Sequence, residues 1–242
     1  MHSSYFCPIV TVMKIKGEIK IPHVYVLTFE TQYELCMSFV RMQEFYERPK
    51  FRNKYFTLEE FVDYWAKEFG RGSFDYPKRW NGFNLPSKAI DKWYKIFTSV
   101  DFREKEEALV DAIYELIYKE YGNNGLLWTA KNNYYVIGVH KGSSEEDKQE
   151  VIDHESAHAL YYLYPAYKRT VNKLLKNVPK KDYVAAEEML VKMGYGKNVT
   201  RDEIQAYFST HKPDEYSMLP LGKRDEFVKL FNDFKTKIKL VA

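Results

Sequence analysis

Val151-Ile152-Asp153-His154-Glu155-Ser156-Ala157-His158-Ala159-Leu160 is the stretch from which the rest of the chain can be placed. His154 and His158 are four residues apart, so on an α-helix they stand one above the other and aim two imidazole nitrogens at one point. Glu155 lies where its carboxylate can reach a water held at that point, take its proton as general base and return it to a leaving amine. This HExxH spacing is that of a zinc site, in which the metal lowers the pKa of the water and polarises a carbonyl. Two ordinary helix histidines and a solvated glutamate would give the same letters. The surroundings favour the metal: Ser156 and Ala157 are small and uncharged where a buried helix tolerates charge poorly, and Ile152, Ala159, Leu160 and Leu163 make an apolar stripe of helical period. Ser143-Ser144-Glu145-Glu146 supplies a capping signal before the helix, and Pro165 stops it at about Tyr164.

With Ile152 two before the first His, uncharged Ser156 and Ala157 between, and Leu160 two after the second His, the stretch resembles the zincin metallopeptidases. The metzincin branch would need Gly at position 161 and His at 164, where this chain has Tyr161 and Tyr164, so that branch is excluded. The gluzincin branch takes its third ligand from a Glu on a later helix, and Thr200 to Ser209 offers Glu203, with Ala206 on the same face to let the helices approach. Glu203-Ile204-Gln205-Ala206 also looks like the third-ligand helix of the gluzincin-like peptidases that cleave repressors of mobile elements. The resemblance implies one zinc ion per chain held by His154, His158 and Glu203, with Glu155 as catalytic base and a peptide or protein as substrate.

Alternatives stand beside parts of this set. Thr200-x-x-Glu203 is also a capping box, which would turn the Glu203 carboxylate back to the helix start, and Glu187 and Glu188 are rival ligands. Many gluzincins have Asp four residues after the ligand Glu. Here that position is Tyr207, whose hydroxyl either orients His154 or donates to the developing oxyanion. His211 and Tyr216 are further donor candidates, and Tyr161, Tyr162 and Tyr164 are placed to line the metal cleft. A deformylase-like hydrolase would take a third ligand from an upstream Cys in a motif not found around Cys7 or Cys36. A non-catalytic zinc protein would close the site with a fourth ligand.

At 242 residues, 45% hydrophobic and 17% aromatic, the chain can bury a full core. Its 37 basic and 34 acidic residues leave a net charge of +3, which implies no general affinity for nucleic acid. Arg48, Lys50, Arg52 and Lys54 alternating with Phe51, Tyr55 and Phe56 would suit a single strand, and a solvated loop accounts for them equally. Nothing is long and apolar enough for a membrane span. Lys14, Lys16, Glu18 and Lys20 break up any leader-like core, and the two cysteines read as free thiols, all of which argues for a cytoplasmic protein.

The expected fold is α+β: a mainly helical zincin-like domain over 1–242, with a small antiparallel or mixed sheet beside the active-site helix. Residues 1–125 would form a hairpin and helical lobe, and 126–242 the strands and both metal helices. Ile9 to Phe29 alternates around Gly17-Glu18 as a hairpin. Helices are expected over Thr31 to Glu47, Leu58 to Phe69, Ser87 to Thr98 and Phe102 to Tyr121, followed by the break Gly122 to Gly125. Leu126 to Ala130 and Asn133 to His140 read as strands. Helices over Ala166 to Lys176, Lys181 to Met193 and Arg224 to about Leu240 complete the series. The resemblance further implies that Tyr134 to Val139 is a sheet edge for extended substrate, with Gly138 allowing close approach, while an ordinary central strand accounts for the same residues equally.

Overall fold

A computed structural model describes residues 13–97, 101–125, 133–193, 195–197, 199–210 and 221–239. Four strands form one mixed sheet: β1 (Ile15–Ile21), β2 (Val24–Phe29), β3 (Gly82–Pro86) and β4 (Tyr135–His140), in the order β1-β2-β4-β3. β1 and β2 pair antiparallel, β2 and β4 parallel, and β3 and β4 antiparallel. The helices are α1 (Gln32–Glu47), α2 (Leu58–Glu68), α3 (Ser87–Ile96), α4 (Glu104–Tyr121), α5 (Glu145–Leu163), α6 (Pro165–Asn177), α7 (Lys180–Lys192), α8 (Thr200–Thr210) and α9 (Leu221–Lys239). The fold is α+β and mainly helical.

Strand alternation sorts the core into two layers. Tyr25, Leu27, Phe29 and Val136 face a cluster built with α1 to α4, whereas Val24, Val26, Tyr135, Ile137 and Val139 face a second built with α5 to α9. Sequence halves do not map onto separate sheets, since β1, β2 and β3 come from one and β4 from the other. In the first layer a bidentate pair, with Arg41 Nε 2.7 Å from Glu106 Oε1 and the second contact between Arg41 Nη2 and Glu106 Oε2, ties α1 to α4 inside the core. Among the described residues no helix is long and apolar enough to cross a membrane.

Three expectations change. The hairpin does not turn at Gly17-Glu18, which lie within β1. It turns at Pro22-His23, where proline at the first central position and His23 at φ 67° at the second follow the type II pattern. β4 is not the sheet edge, because β2 and β3 flank it and all of its residues are buried. The edge on that side of the sheet is β3, hidden in the sequence because Gly82, Asn84 and Pro86 are poor strand formers. Nor does Gly138 make room for a peptide. A Cβ there would lie 2.6 Å from Phe39 Cε2 and 2.7 Å from Leu35 Cδ1, so its bare backbone seats α1 on the sheet. The expected strand Leu126 to Ala130 lies outside the described residues.

Candidate metal centre

α5 carries the HExxH residues on a helix whose ends are fixed locally. The Ser144 hydroxyl accepts from the Asp147 amide at 3.0 Å, and Pro165 starts α6 immediately beyond the cap Tyr164. The helix lies close to the sheet edge: a Cβ on Gly82 would come 2.3 Å from Val151 Cγ1, so a side chain there would push α5 away. On its other side α5 packs along α8, with Ala157 and Ala206 both fully buried. Small residues at the interface let the two helices bring ligand-bearing side chains together.

His154, His158 and Glu203 each offer a ligand atom, and these atoms all lie within 4.8 Å of one another. His154 Nε2 and His158 Nε2 are 3.3 Å apart, and Glu203 Oε2 stands 3.6 Å from the first and 3.5 Å from the second. The three atoms thus form a nearly equilateral triangle. Its edges exceed ordinary N–H···O lengths, so a cation among the three atoms accounts for the arrangement better than a shared proton. Burial pushes the Glu203 carboxyl up, and the facing His158 and His154 imidazoles outweigh it and hold it down at about 2. His158 is the mirror case: burial alone would lower it, while the Asp202 and Glu203 carboxylates hold it well above its ordinary value. The pocket therefore favours positive charge, and the group can hold a metal ion.

Glu203 is not a capping residue in this structure. Thr200 Oγ1 donates instead to Glu187 Oε1 at 3.1 Å and to the Lys197 carbonyl at 3.0 Å. That engages Glu187 at the start of α8, and Glu188 is exposed.

Around the ligands stand residues that sequence reasoning missed. Asp202 Oδ1 lies 3.2 Å from His158 Nδ1 and accepts from Gln205 Nε2 at 3.0 Å, so it orients His158 from behind, as the carboxylate partner of a metal-binding imidazole does. Asn84, on the edge strand β3, donates to Glu155 Oε2 at 2.7 Å and accepts from the Tyr135 hydroxyl at 2.6 Å. This relay fixes the carboxylate of Glu155. Burial pushes its pKa up against the pull of His154 and His158. The polar Asn84 between apolar Phe83 and Leu85 was a visible trace of alternation, although too short to stand out.

The Tyr207 ring packs edge-on against His154 at 4.8 Å, and its hydroxyl is 3.3 Å from that of Tyr195. Burial and then the Glu203 carboxylate push the Tyr195 hydroxyl far up, so it keeps its proton as a donor. His211 and Tyr216 lie outside the described residues. Tyr161 donates to Asn172 Oδ1 at 3.0 Å and Tyr164 to the Pro22 carbonyl at 3.0 Å, contacts that brace α5 against α6 and the hairpin turn. Tyr162 packs on Tyr135 at 5.7 Å.

Cys36 is fully buried in the first core layer and supplies no ligand, while Cys7 lies outside the described residues. In the basic-aromatic stretch, Phe51 and Phe56 are buried, Arg48 Nε pairs with Glu44 at 2.5 Å, and Tyr55 stacks on Phe97 at 5.0 Å. Most of the rings that would stack on bases are thus turned inward. No family model, curated protein or solved structure matches the chain, so what the site does has to be read from its own atoms.

Proposed function

We propose that this protein is a zinc-dependent metallopeptidase of the gluzincin type, with His154, His158 and Glu203 as ligands and Glu155 as general base. The observation that carries this is the ligand triangle. A tetrahedral zinc with bonds of about 2.0–2.1 Å sets its donors roughly 3.3–3.4 Å apart, and the three atoms here stand 3.3, 3.5 and 3.6 Å apart. Two imidazole nitrogens and one carboxylate are also the donor set of a catalytic rather than a structural zinc. Among the described residues no fourth His, Cys, Asp or Glu joins the group.

When bound, zinc supplies a Lewis acid for the scissile carbonyl and lowers the pKa of a water. Glu155, held by Asn84, takes the proton from the attacking water and passes it to the amine that leaves. Asp202 keeps the His158 ring turned so that Nε2 faces the ligand group. Tyr195 and Tyr207 offer hydroxyl protons on the side of His154, where oxygen charge developing on the carbonyl would meet them.

Metal analysis of the purified protein beside Glu203→Ala and Glu155→Gln tests this directly. The parent and Glu155→Gln should each hold about one zinc per chain and Glu203→Ala markedly less. Turnover of a peptide library should fall about 10²–10⁴-fold in Glu155→Gln. A parent that takes up no zinc even when it is supplied would end the proposal. Iron in its place would point to oxygen chemistry on the same two-His, one-carboxylate set. Zinc retained with no change of turnover in Glu155→Gln would favour a binding protein.

A further inference from the structure

Pro165 to Lys181 span α6, its connection to α7 and the first two residues of α7. These 17 residues hold Lys168, Arg169, Lys173, Lys176, Lys180 and Lys181 and not one Asp or Glu. The run carries +6 where the whole chain carries +3, so the near-balance of the sequence hides a basic face on an otherwise net-acidic molecule. All six side chains are exposed, and among the described residues none of them makes an ion pair. On α6 the four cations fall within an arc of about 140°, across the helix from the buried Tyr167, Val171 and Leu175.

Contacts with neighbouring helices fix and extend this face. Asn172 lies within the same arc, and its Oδ1 accepts from the Arg201 guanidinium at 2.7 and 3.0 Å and from the Tyr161 hydroxyl at 3.0 Å. Arg201, exposed at the start of α8, is thereby held against α6 with no carboxylate partner among the described residues. The Lys168 ammonium stands 4.6 Å from the centre of the Tyr161 ring.

Such an arrangement works against the helices that carry it. Arg169 and Lys173 are four apart and Lys173 and Lys176 three apart, spacings at which like charges repel. Lys168 and Arg169 lie towards the amino-terminal end of α6, which has no acid in its first turn, and Lys180 and Lys181 open α7; the helix dipole disfavours cations at these ends. Other exposed helices of the chain are built otherwise: on α2 Asp63 stands four before Lys67, and on α4 Glu115 four before Lys119, the favourable order. A surface that breaks local rules without gain inside the chain marks a partner outside it.

The exposed side chains of the run define that partner. Besides the cations they are Thr170 and Asn177, which also donate hydrogen bonds, and Pro165, Ala166 and Pro179. A protein partner is met with an apolar or aromatic centre, where lysine is depleted. A bilayer holds a protein stably when an inserted apolar or acyl chain joins the charge, and the next exposed large apolar side chain along the sequence is Val184, beyond the run. No exposed ring in the run offers a platform for unpaired bases. Lysine, arginine, threonine and asparagine are the side chains that contact the phosphates of a duplex, whose closely spaced charges neutralise many cations at once.

We propose that the outer face of α6, with the start of α7 and Arg201, docks on the phosphodiester backbone of duplex nucleic acid without regard to base sequence. This stands apart from the metal centre and does not depend on the peptidase assignment.

The test is fluorescence anisotropy of a labelled duplex of about 20 base pairs with the full chain, between about 50 and 200 mM salt. With about six phosphates neutralised, affinity should fall roughly 10³-fold across that range. Lys173→Glu combined with Lys176→Glu should weaken binding about tenfold or more and flatten the log–log salt slope by about 2. Because Lys173→Glu sets a carboxylate four residues after Arg169, this variant should unfold at no lower temperature than the parent, so lost binding is not lost folding. The charge-matched control Lys88→Glu with Lys92→Glu, on exposed positions of α3 in the other core layer, should bind within about twofold of the parent. DNA and RNA duplexes present the same backbone, and the tighter of the two names the natural source. Absence of duplex binding at about 50 mM salt, or equal binding by the parent and the α6 variant, overturns the proposal. Tighter binding to phosphatidylcholine vesicles with about 30% phosphatidylserine, or to poly-glutamate, also overturns it and assigns the face to a membrane or to an acidic protein.

Discussion

Asp202 shows how much of a metal site lies behind its ligands. With Oδ1 3.2 Å from His158 Nδ1, it leaves the other ring nitrogen to face the candidate ligand group, and would make that nitrogen a better donor to a metal bound there. Asp202→Asn should therefore lower zinc affinity about 10–100-fold while leaving the fold in place. Competition with a chromophoric chelator measures this, and unchanged affinity would remove Asp202 from the site. The residue-level pattern was partly legible in advance. His154, Glu155 and His158 could be read because one helix sets their spacing, and Glu203 because a carboxylate beside small residues marks a helix that packs closely. Asp202 was hidden, since its use depends on how α8 is rotated against α5. Asn84 was hidden for a different reason: it lies 71 residues before Glu155 in the chain, and only the sheet brings them together.

At the scale of elements, the helices with clear caps were the most legible. Thr57 begins α2 with the reciprocal Glu60 bonds of a capping box, and Ser144 begins α5 where the sequence signals a start. The sheet was less so. A buried central strand and a buried edge give similar apolar runs, and the strand order depends on long-range pairing that no local pattern encodes. Gly138 was read as room for substrate when it is room for α1, because a glycine shows that something comes close without showing what. Gly138→Ala should destabilise the protein by about 1–3 kcal/mol, since the added methyl meets Phe39 and Leu35 inside a packed core. Urea denaturation gives the value, and a neutral result would mean that α1 is free to shift off the sheet.

For the whole molecule, two core layers share one sheet, and the first is held by an ion pair out of reach of water. Arg41 and Glu106 are each 2% exposed. Arg41→Ala leaves the Glu106 carboxylate buried without its cation and should cost about 3–5 kcal/mol. The double change Arg41→Met with Glu106→Leu should recover most of it, because removing both charges also removes the desolvation cost. A double-mutant cycle by thermal unfolding decides: if the double variant is as unstable as the single one, the layer depends on the guanidinium's other bonds, to the Phe56 and Asp101 carbonyls.

Glu203, the third member of the group that could hold a metal ion, sits on α8, well after the histidines on α5, and a ribosome makes chains from the amino end. A growing chain therefore presents His154 and His158 before Glu203 exists, with two donors where three are needed. Asn84 waits on the edge of the sheet from early on, but the helix that completes the site is added late. If the centre hydrolyses peptides as proposed, it gains its full donor set only once α8 has emerged and packed on α5, so cleavage by an unfinished chain is not expected.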